Sequence, residues 1–268
     1  LGLVFFLETL DTSLKTPDDI ERKTGLAILG SIPRVKSILP MEDDSRGNPS
    51  VLVTHVAPSS PASEAYRTLR TNLQFSNLSQ KLRSIMLTSS GPREGKSTTS
   101  ANLAVATAQM GLRTLLIDGD LRRPTINKIF NLNREPGLSE ILSHYYEKNM
   151  NGNGDDEPAV DETYIERQTS VRATKAIQHM ASLDMAIDAA VHKTHIDRLD
   201  ILTCGALPSN PSEILGSETM KDLLALVKER YEFVVIDAPP VIAVTDAAVL
   251  APQVDAALLV IESARNDR

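Results

Sequence analysis

The apolar residues of this chain fall into short compact runs separated by amphipathic stretches. Ser84–Ser89 (SIMLTS), Arg113–Asp118 (RTLLID), Phe233–Asp237 (FVVID) and Asp255–Ile261 (DAALLVI) each predict a strand, and Asp200–Thr203 predicts a further one. Ser60–Asn77, Ser97–Met110 and Ser217–Arg230 are predicted as helices from their length and apolar spacing. Leu69, Leu73 and Phe75 are expected to supply the buried face of the first of these. Gly111 suits the position just past the second. Nearer the start, Thr16 can cap a short helix with Pro17 at its first position, Asp18 and Asp19 at its positive end, and Gly25 as its stop. Leu26–Ile32 reads as extended. Apolar strands that alternate with helices predict an α/β fold with a doubly wound, mostly parallel sheet, covered on both faces.

Three stretches break the rhythm. Residues 41–50 (MEDDSRGNPS) read as a polar linker. Residues 144–198 read as an insertion, with a disordered loop at Asn149–Pro158 and a helical apolar pattern over Thr174–Ala190. The first seven residues, Leu1–Leu7, are wholly apolar but too short to span a bilayer. They read either as a buried terminal strand or as the end of a membrane helix.

Composition narrows the classes. The chain has 268 residues, 28 Lys+Arg against 35 Asp+Glu, and a net charge of −7. That balance, with no Trp and 4% aromatics, argues against nucleic acid as a partner. The charge is uneven. Residues 61–140 carry 11 basic and 6 acidic side chains, whereas residues 147–200 carry 6 and 11. The first stretch suits an anionic ligand. The single cysteine, Cys204, excludes an internal disulfide, and it reads as a small core residue. The five histidines have no metal-ligand spacing.

The most specific chemistry lies at Ser90-Gly91-Pro92-Arg93-Glu94-Gly95-Lys96-Ser97, followed by Thr98. It fits the P-loop pattern, with Ser90 in place of the first glycine, between a predicted strand and a predicted helix. Its backbone N–H groups would cradle phosphates, Lys96 would bridge the β- and γ-phosphates, and Ser97 would ligate Mg²⁺. Asp118, with Gly119 and Asp120 after it, ends one apolar run and Asp237 ends another. Ligands of open α/β sheets lie at the carboxyl ends of strands, so these aspartates are expected beside the P-loop. The set implies Mg-nucleotide chemistry, with either water or a side chain as phosphoryl acceptor.

Together these segments resemble the bacterial tyrosine kinases, the cytoplasmic partners of polysaccharide co-polymerases. The resemblance rests on Glu64-Ala65-Tyr66-Arg67-Thr68-Leu69-Arg70, the P-loop, Asp118-Gly119-Asp120-Leu121-Arg122-Arg123-Pro124, Pro208–Glu213 and Asp237-Ala238-Pro239-Pro240. It implies a P-loop NTPase fold of the MinD/ParA type and an ATP- and Mg²⁺-dependent tyrosine (auto)kinase. It also implies a place in capsular or exopolysaccharide synthesis and export at the cytoplasmic face of the inner membrane. Carried onto this chain, Asp118 orients or deprotonates the tyrosine, and Asp120 and Asp237 hold or support Mg²⁺ with Ser97. The E-x-x-R-x-x-R residues Glu64, Arg67 and Arg70 would form a subunit contact in a ring-like homo-oligomer. By the same resemblance, residues 1–7 are the end of a membrane helix, 8–50 a juxtamembrane segment, and 51–268 a kinase domain lacking its last elements. Arg122 and Arg123 read equally as phosphate or subunit contacts and as surface charge, and Pro208–Pro211 as a turn without chemistry. Tyr145, Tyr146 and Tyr164 could accept phosphate, though partly buried structural tyrosines are the simpler reading.

Two alternatives remain. A MinD/ParA-type ATPase would carry a second lysine five residues before Lys96, where this chain has Gly91. A catalytically silent nucleotide-binding regulator of polysaccharide chain length would not need the intact Lys96, Ser97, Asp118 and Asp237 set.

Overall fold

The computed structural model describes residues 17–34, 51–76, 82–143 and 178–263. Leu1–Leu7, the 41–50 linker, the Asn149–Pro158 loop, Tyr145, Tyr146 and Tyr164 lie outside the described residues.

Six strands form one sheet: β1 Ser84–Ser89, β2 Thr114–Asp118, β3 Val191–Lys193, β4 Leu199–Leu202, β5 Phe233–Asp237 and β6 Ala256–Val260. Their spatial order is β3-β4-β2-β5-β1-β6. All pairs are parallel except β3 with β4. The expected doubly wound sheet is present, and β3 is an antiparallel edge strand that the apolar pattern does not predict.

Both faces of the sheet are packed, which is why its strands read as continuous apolar runs. Ile85, Leu87, Leu116 and Val235 face one core, with the helices Pro61–Ser76 and Lys96–Ala108. Met86, Leu115, Ile117, Val234 and Ile236 face the other, beneath the helices 138–143, 178–190 and Glu218–Arg230. The helix Lys96–Ala108 is buried almost all round, its small Ala101, Ala104, Ala106 and Ala108 allowing close approach to its neighbours. The helix Glu218–Arg230 starts at Ser217, whose hydroxyl accepts from the Met220 N–H.

Two sequence expectations are corrected. Phe75 is 67% exposed, and Tyr66 takes the place expected of it on the buried face, with Ala62, Leu69 and Leu73. The helical phase explains this: Tyr66 and Leu73 lie three and four residues from Leu69, whereas Phe75 is turned about 240° away from Leu69 at 100° per residue. Residues 178–198, read as part of an insertion, belong to the fold. Leu183, Ile187 and Ala190 are buried in the second core, and Val191–Lys193 extends the sheet.

The helix Pro17–Thr24 ends at Gly25, whose φ of +68° closes it. The chain then lies along the helix Pro61–Ser76, where Asn72 Nδ2 donates to the Leu29 carbonyl at 2.7 Å and Leu29 and Ile32 pack on the core. No helix among the described residues is long and apolar enough to cross a membrane.

Candidate active site

Parallel strands bring their carboxyl ends to one edge, and the predicted chemistry meets there. The P-loop leaves β1 and enters the helix Lys96–Ala108. Gly95, with φ +87°, makes the turn into that helix, a conformation that strains any residue with a Cβ. Arg93 shares the left-handed region at φ +66°. Glu94 is turned back onto the start of the loop. It accepts from the Ser90 N–H at 3.0 Å and the Ser90 hydroxyl at 2.6 Å, which closes the loop on itself.

Asp118 and Asp237 are in register on adjacent strands β2 and β5. Lys96 Nζ reaches over both strand ends, 2.9 Å from Asp120 Oδ2 and 3.2 Å from Asp237 Oδ2. The Ser97 hydroxyl donates to Asp237 Oδ2 at 2.6 Å and the Ser100 hydroxyl to Oδ1 at 2.9 Å. Asp120 Oδ1 accepts from the N–H groups of Arg122 and Arg123 at 3.3 and 2.9 Å. Asp118 is fully buried and holds the following turn, accepting from the N–H groups of Asp120, Thr125 and Ile126 at 3.3, 3.2 and 3.1 Å. All nine residues from Ser90 to Thr98 therefore lie in the loop and first helical turn at this edge, together with the three aspartates.

The electrostatics follow from burial. Burial pushes the Asp118 carboxyl up, and the neighbouring Asp237 charge adds to this, to about 8. Burial also raises Asp237, against the opposing pull of Lys96, Ser97 and Ser100. Burial opposes the Lys96 charge, but Asp237 and Asp120 together outweigh it and hold the ammonium protonated.

Among the described residues, no group of three or more His, Cys, Asp or Glu is arranged to hold a metal ion unaided. The donors present are Ser97 Oγ and the carboxylates of Asp120 and Asp237, all hard oxygen ligands around one cationic side chain. This set fits Mg²⁺, which takes one or two carboxylates and completes its shell with water and substrate phosphates.

Other expected residues sit as follows. Arg67 pairs with Glu64 and donates to the Pro58 carbonyl at 2.8 Å. Arg70 Nη1 donates to the Ala106 carbonyl at 2.9 Å, tying its helix to the P-loop helix. Their three-residue spacing places the three within one helix face, and Arg70 has a structural bond within the chain. Arg122, read as a phosphate or subunit contact or as surface charge, is bound within the chain to Asp246, through Nε at 2.8 Å and Nη2 at 3.0 Å. Ser212, just after the Pro208–Pro211 turn, also bonds Asp246. Cys204 is buried, and its thiol is pushed up to about 12 chiefly by that burial, as suits a core residue.

Ser100, Gly119 and Asp246 belong to the site and its support but do not stand out in the sequence reading. Ser100 had a usable signal, since four residues after Lys96 it shares that residue's helix face. Asp246 had none, because its partners lie 124 and 34 residues away.

Comparison with known proteins agrees with this geometry. The AAA domain family model matches residues 83–265. Tyrosine-protein kinase YwqD of Bacillus subtilis is 36% identical over 217 residues, 81% of this chain and 75% of that protein. A Klebsiella pneumoniae relative named as a tyrosine-protein kinase in the cps region is 29% identical over 97% of this chain but only 31% of its own length. The solved kinase domain of the Escherichia coli tyrosine kinase ETK superposes with a TM-score of 0.70 at 28% identity, covering 92% of this chain and 82% of that one. With its P-loop, its paired strand-end aspartates and these relatives, the chain belongs to the bacterial tyrosine kinase family of P-loop proteins.

Proposed function

We propose that this chain transfers the γ-phosphoryl group of Mg-ATP to protein tyrosines, its own included, and acts in capsular or exopolysaccharide synthesis and export. The observation that carries the reading is the meeting of Lys96, Ser97, Asp118, Asp120 and Asp237 at the carboxyl ends of β1, β2 and β5. The cps-region name of one relative supports the polysaccharide setting.

In this reading the N–H groups of residues 90–98 bind the phosphates, aided by the positive end of the helix Lys96–Ala108. Lys96 exchanges its contacts with Asp120 and Asp237 for phosphate oxygens. Ser97, Asp120 and Asp237 would hold Mg²⁺, which when bound would supply charge neutralisation at the phosphates. Asp118 in its ionised form, favoured as pH approaches 8, orients the tyrosine hydroxyl and receives its proton as the new O–P bond forms and ADP departs. Because Asp118 lies beneath the 120–126 turn, the hydroxyl reaches it when that turn shifts.

The wider assignments follow the same reading. Glu64, Arg67 and Arg70 form a contact between copies in a ring. Residues 51–268 are the kinase domain, placed at the cytoplasmic face of the inner membrane beside a co-polymerase partner. The insertion begins near residue 144, and within its final part, 178–198, a helix packs on the second core and Val191–Lys193 joins the sheet. The test is to incubate the full-length protein with Mg-ATP and measure phosphotyrosine and ADP. Phosphotyrosine is expected. ADP release without it favours a MinD/ParA-type ATPase, and nucleotide binding without turnover favours a silent regulator.

A further inference from the structure

Asp246 starts the helix Asp246–Leu250, and its side chain is fully buried. An aspartate at a helix start is normally a solvated cap, so its burial asks for a partner. Asp246 has two. Arg122 Nε and Nη2 bind its two oxygens at 2.8 and 3.0 Å, a bidentate pair, and the Ser212 hydroxyl bonds Oδ1. Arg122 Nη2 also reaches the Ser212 hydroxyl at 3.3 Å. The three residues come from the segments that follow β2, β4 and β5, Ser212 and Asp246 from the first turns of short helices.

The fork does more than join loops. The backbone N–H groups of Arg122 and Arg123 grip Asp120 Oδ1, leaving Asp120 Oδ2 to face Lys96 Nζ at 2.9 Å. The direction of the Asp120 carboxylate is therefore set by the backbone at residues 122–123. That backbone is in turn held by a guanidinium fixed to Asp246. A bidentate guanidinium–carboxylate pair fixes orientation as well as distance, which a lysine or a single hydrogen bond does not.

We propose that Asp246 is a positioning residue for Asp120, acting through Arg122 to aim the Asp120 carboxylate at the Lys96 and Mg²⁺ site. This rests on the kinase reading, in which Asp120 serves the metal and phosphates. Partners that orient a metal-associated group typically change affinity or activity by about 10- to 100-fold when removed.

The test is a double-mutant cycle in the full-length protein with Asp120→Asn, Asp246→Asn and their combination. Phosphotyrosine formation and Mg-ADP affinity are both measured, with thermal unfolding followed alongside. Asp246→Asn is expected to lower kcat about 10-fold or more, and to weaken the Mg²⁺ dependence of ADP binding. The double variant is expected to be no worse than Asp120→Asn alone, because one residue acts through the other. Additive losses, or unchanged kcat and Mg²⁺ dependence despite a lower melting temperature, would overturn the proposal. Arg122→Lys keeps the charge but loses the fork, and it serves in the same cycle if Asp246→Asn does not fold. A wild-type protein that binds Mg-ADP but makes no phosphotyrosine would refute the kinase reading. The cycle read in Mg-ADP affinity would still decide this inference.

Discussion

The backbone N–H of Gly119 donates to the carbonyl of Asp237 at 2.8 Å, locking the ends of β2 and β5 together beyond their last paired residues. This bond sets the spacing between the two carboxylate-bearing strand ends. A Cβ on residue 119 would stand 3.1 Å from both the Asp237 carbonyl oxygen and Ile236 Cγ2. Both neighbours belong to a rigid, fully buried strand, so neither yields freely. Gly119→Ala is expected to cost about 1–3 kcal/mol in denaturant unfolding. It should also weaken Mg-ADP binding by shifting Asp237. Unaltered stability and affinity would contradict this account of the Asp-Gly-Asp turn.

Asp118 should make stability depend on pH. Its folded pKa is raised from the usual carboxylate value to about 8, so the folded state binds its proton more tightly than the unfolded chain. The stabilisation is fully present below about pH 4 and is lost as pH rises towards 8. The stability difference between the wild type and Asp118→Asn is therefore expected to move in the variant's favour across that window. Denaturant titrations at several pH values measure it, and a flat difference would contradict the assigned burial effect.

Lys96 balances two buried carboxylates, so its removal has a structural as well as a functional consequence. Lys96→Met should abolish Mg-ATP binding at concentrations that saturate the wild type. It should also destabilise the fold by about 3–5 kcal/mol at pH 8, the scale for a buried charge left without its partner. The loss should be smaller at pH 5. Without Lys96 the folded-state pKa of Asp237 rises further, and stability from a raised carboxylate is lost as pH increases. Equal destabilisation at both pH values would argue against this charge balance.

The two helix arginines should separate. Arg70 bonds the Ala106 carbonyl on the P-loop helix, whereas the Arg67 guanidinium bonds Glu64 and the Pro58 carbonyl nearby. Arg70→Glu is expected to cost about 1–3 kcal/mol of stability. Arg67→Glu should leave the melting temperature nearly unchanged while reducing the mass of the assembled full-length protein in light scattering. An unchanged mass would count against the subunit contact.

The candidate site is legible in the sequence because its parts are local. Each strand is a short apolar run, each run ends in its own motif, and parallel topology carries those ends to one side. The same local reading fails where long-range packing decides. β3 is three partly exposed residues, too short to show a period, and it exists through its pairing with β4. Tyr66 and Phe75 are both aromatic, and only the helical phase set by Leu69 and Leu73 separates the buried one from the exposed one. Arg122 looks like surface charge until Asp246 is brought to it from 124 residues away.

The proposed tyrosine-phosphorylating site consists of Asp118, Asp120 and Asp237 with Lys96. The most direct test compares wild type with Asp118→Asn in the full-length protein, measuring the rate of phosphotyrosine formation and the affinity for Mg-ADP. The Asn side chain keeps an acceptor for the Thr125 and Ile126 N–H groups, so the turn should survive. Phosphotyrosine is expected from the wild type, with its loss by at least about 100-fold in the variant and similar Mg-ADP affinity in both. Phosphotyrosine formed at the wild-type rate by Asp118→Asn would contradict this assignment.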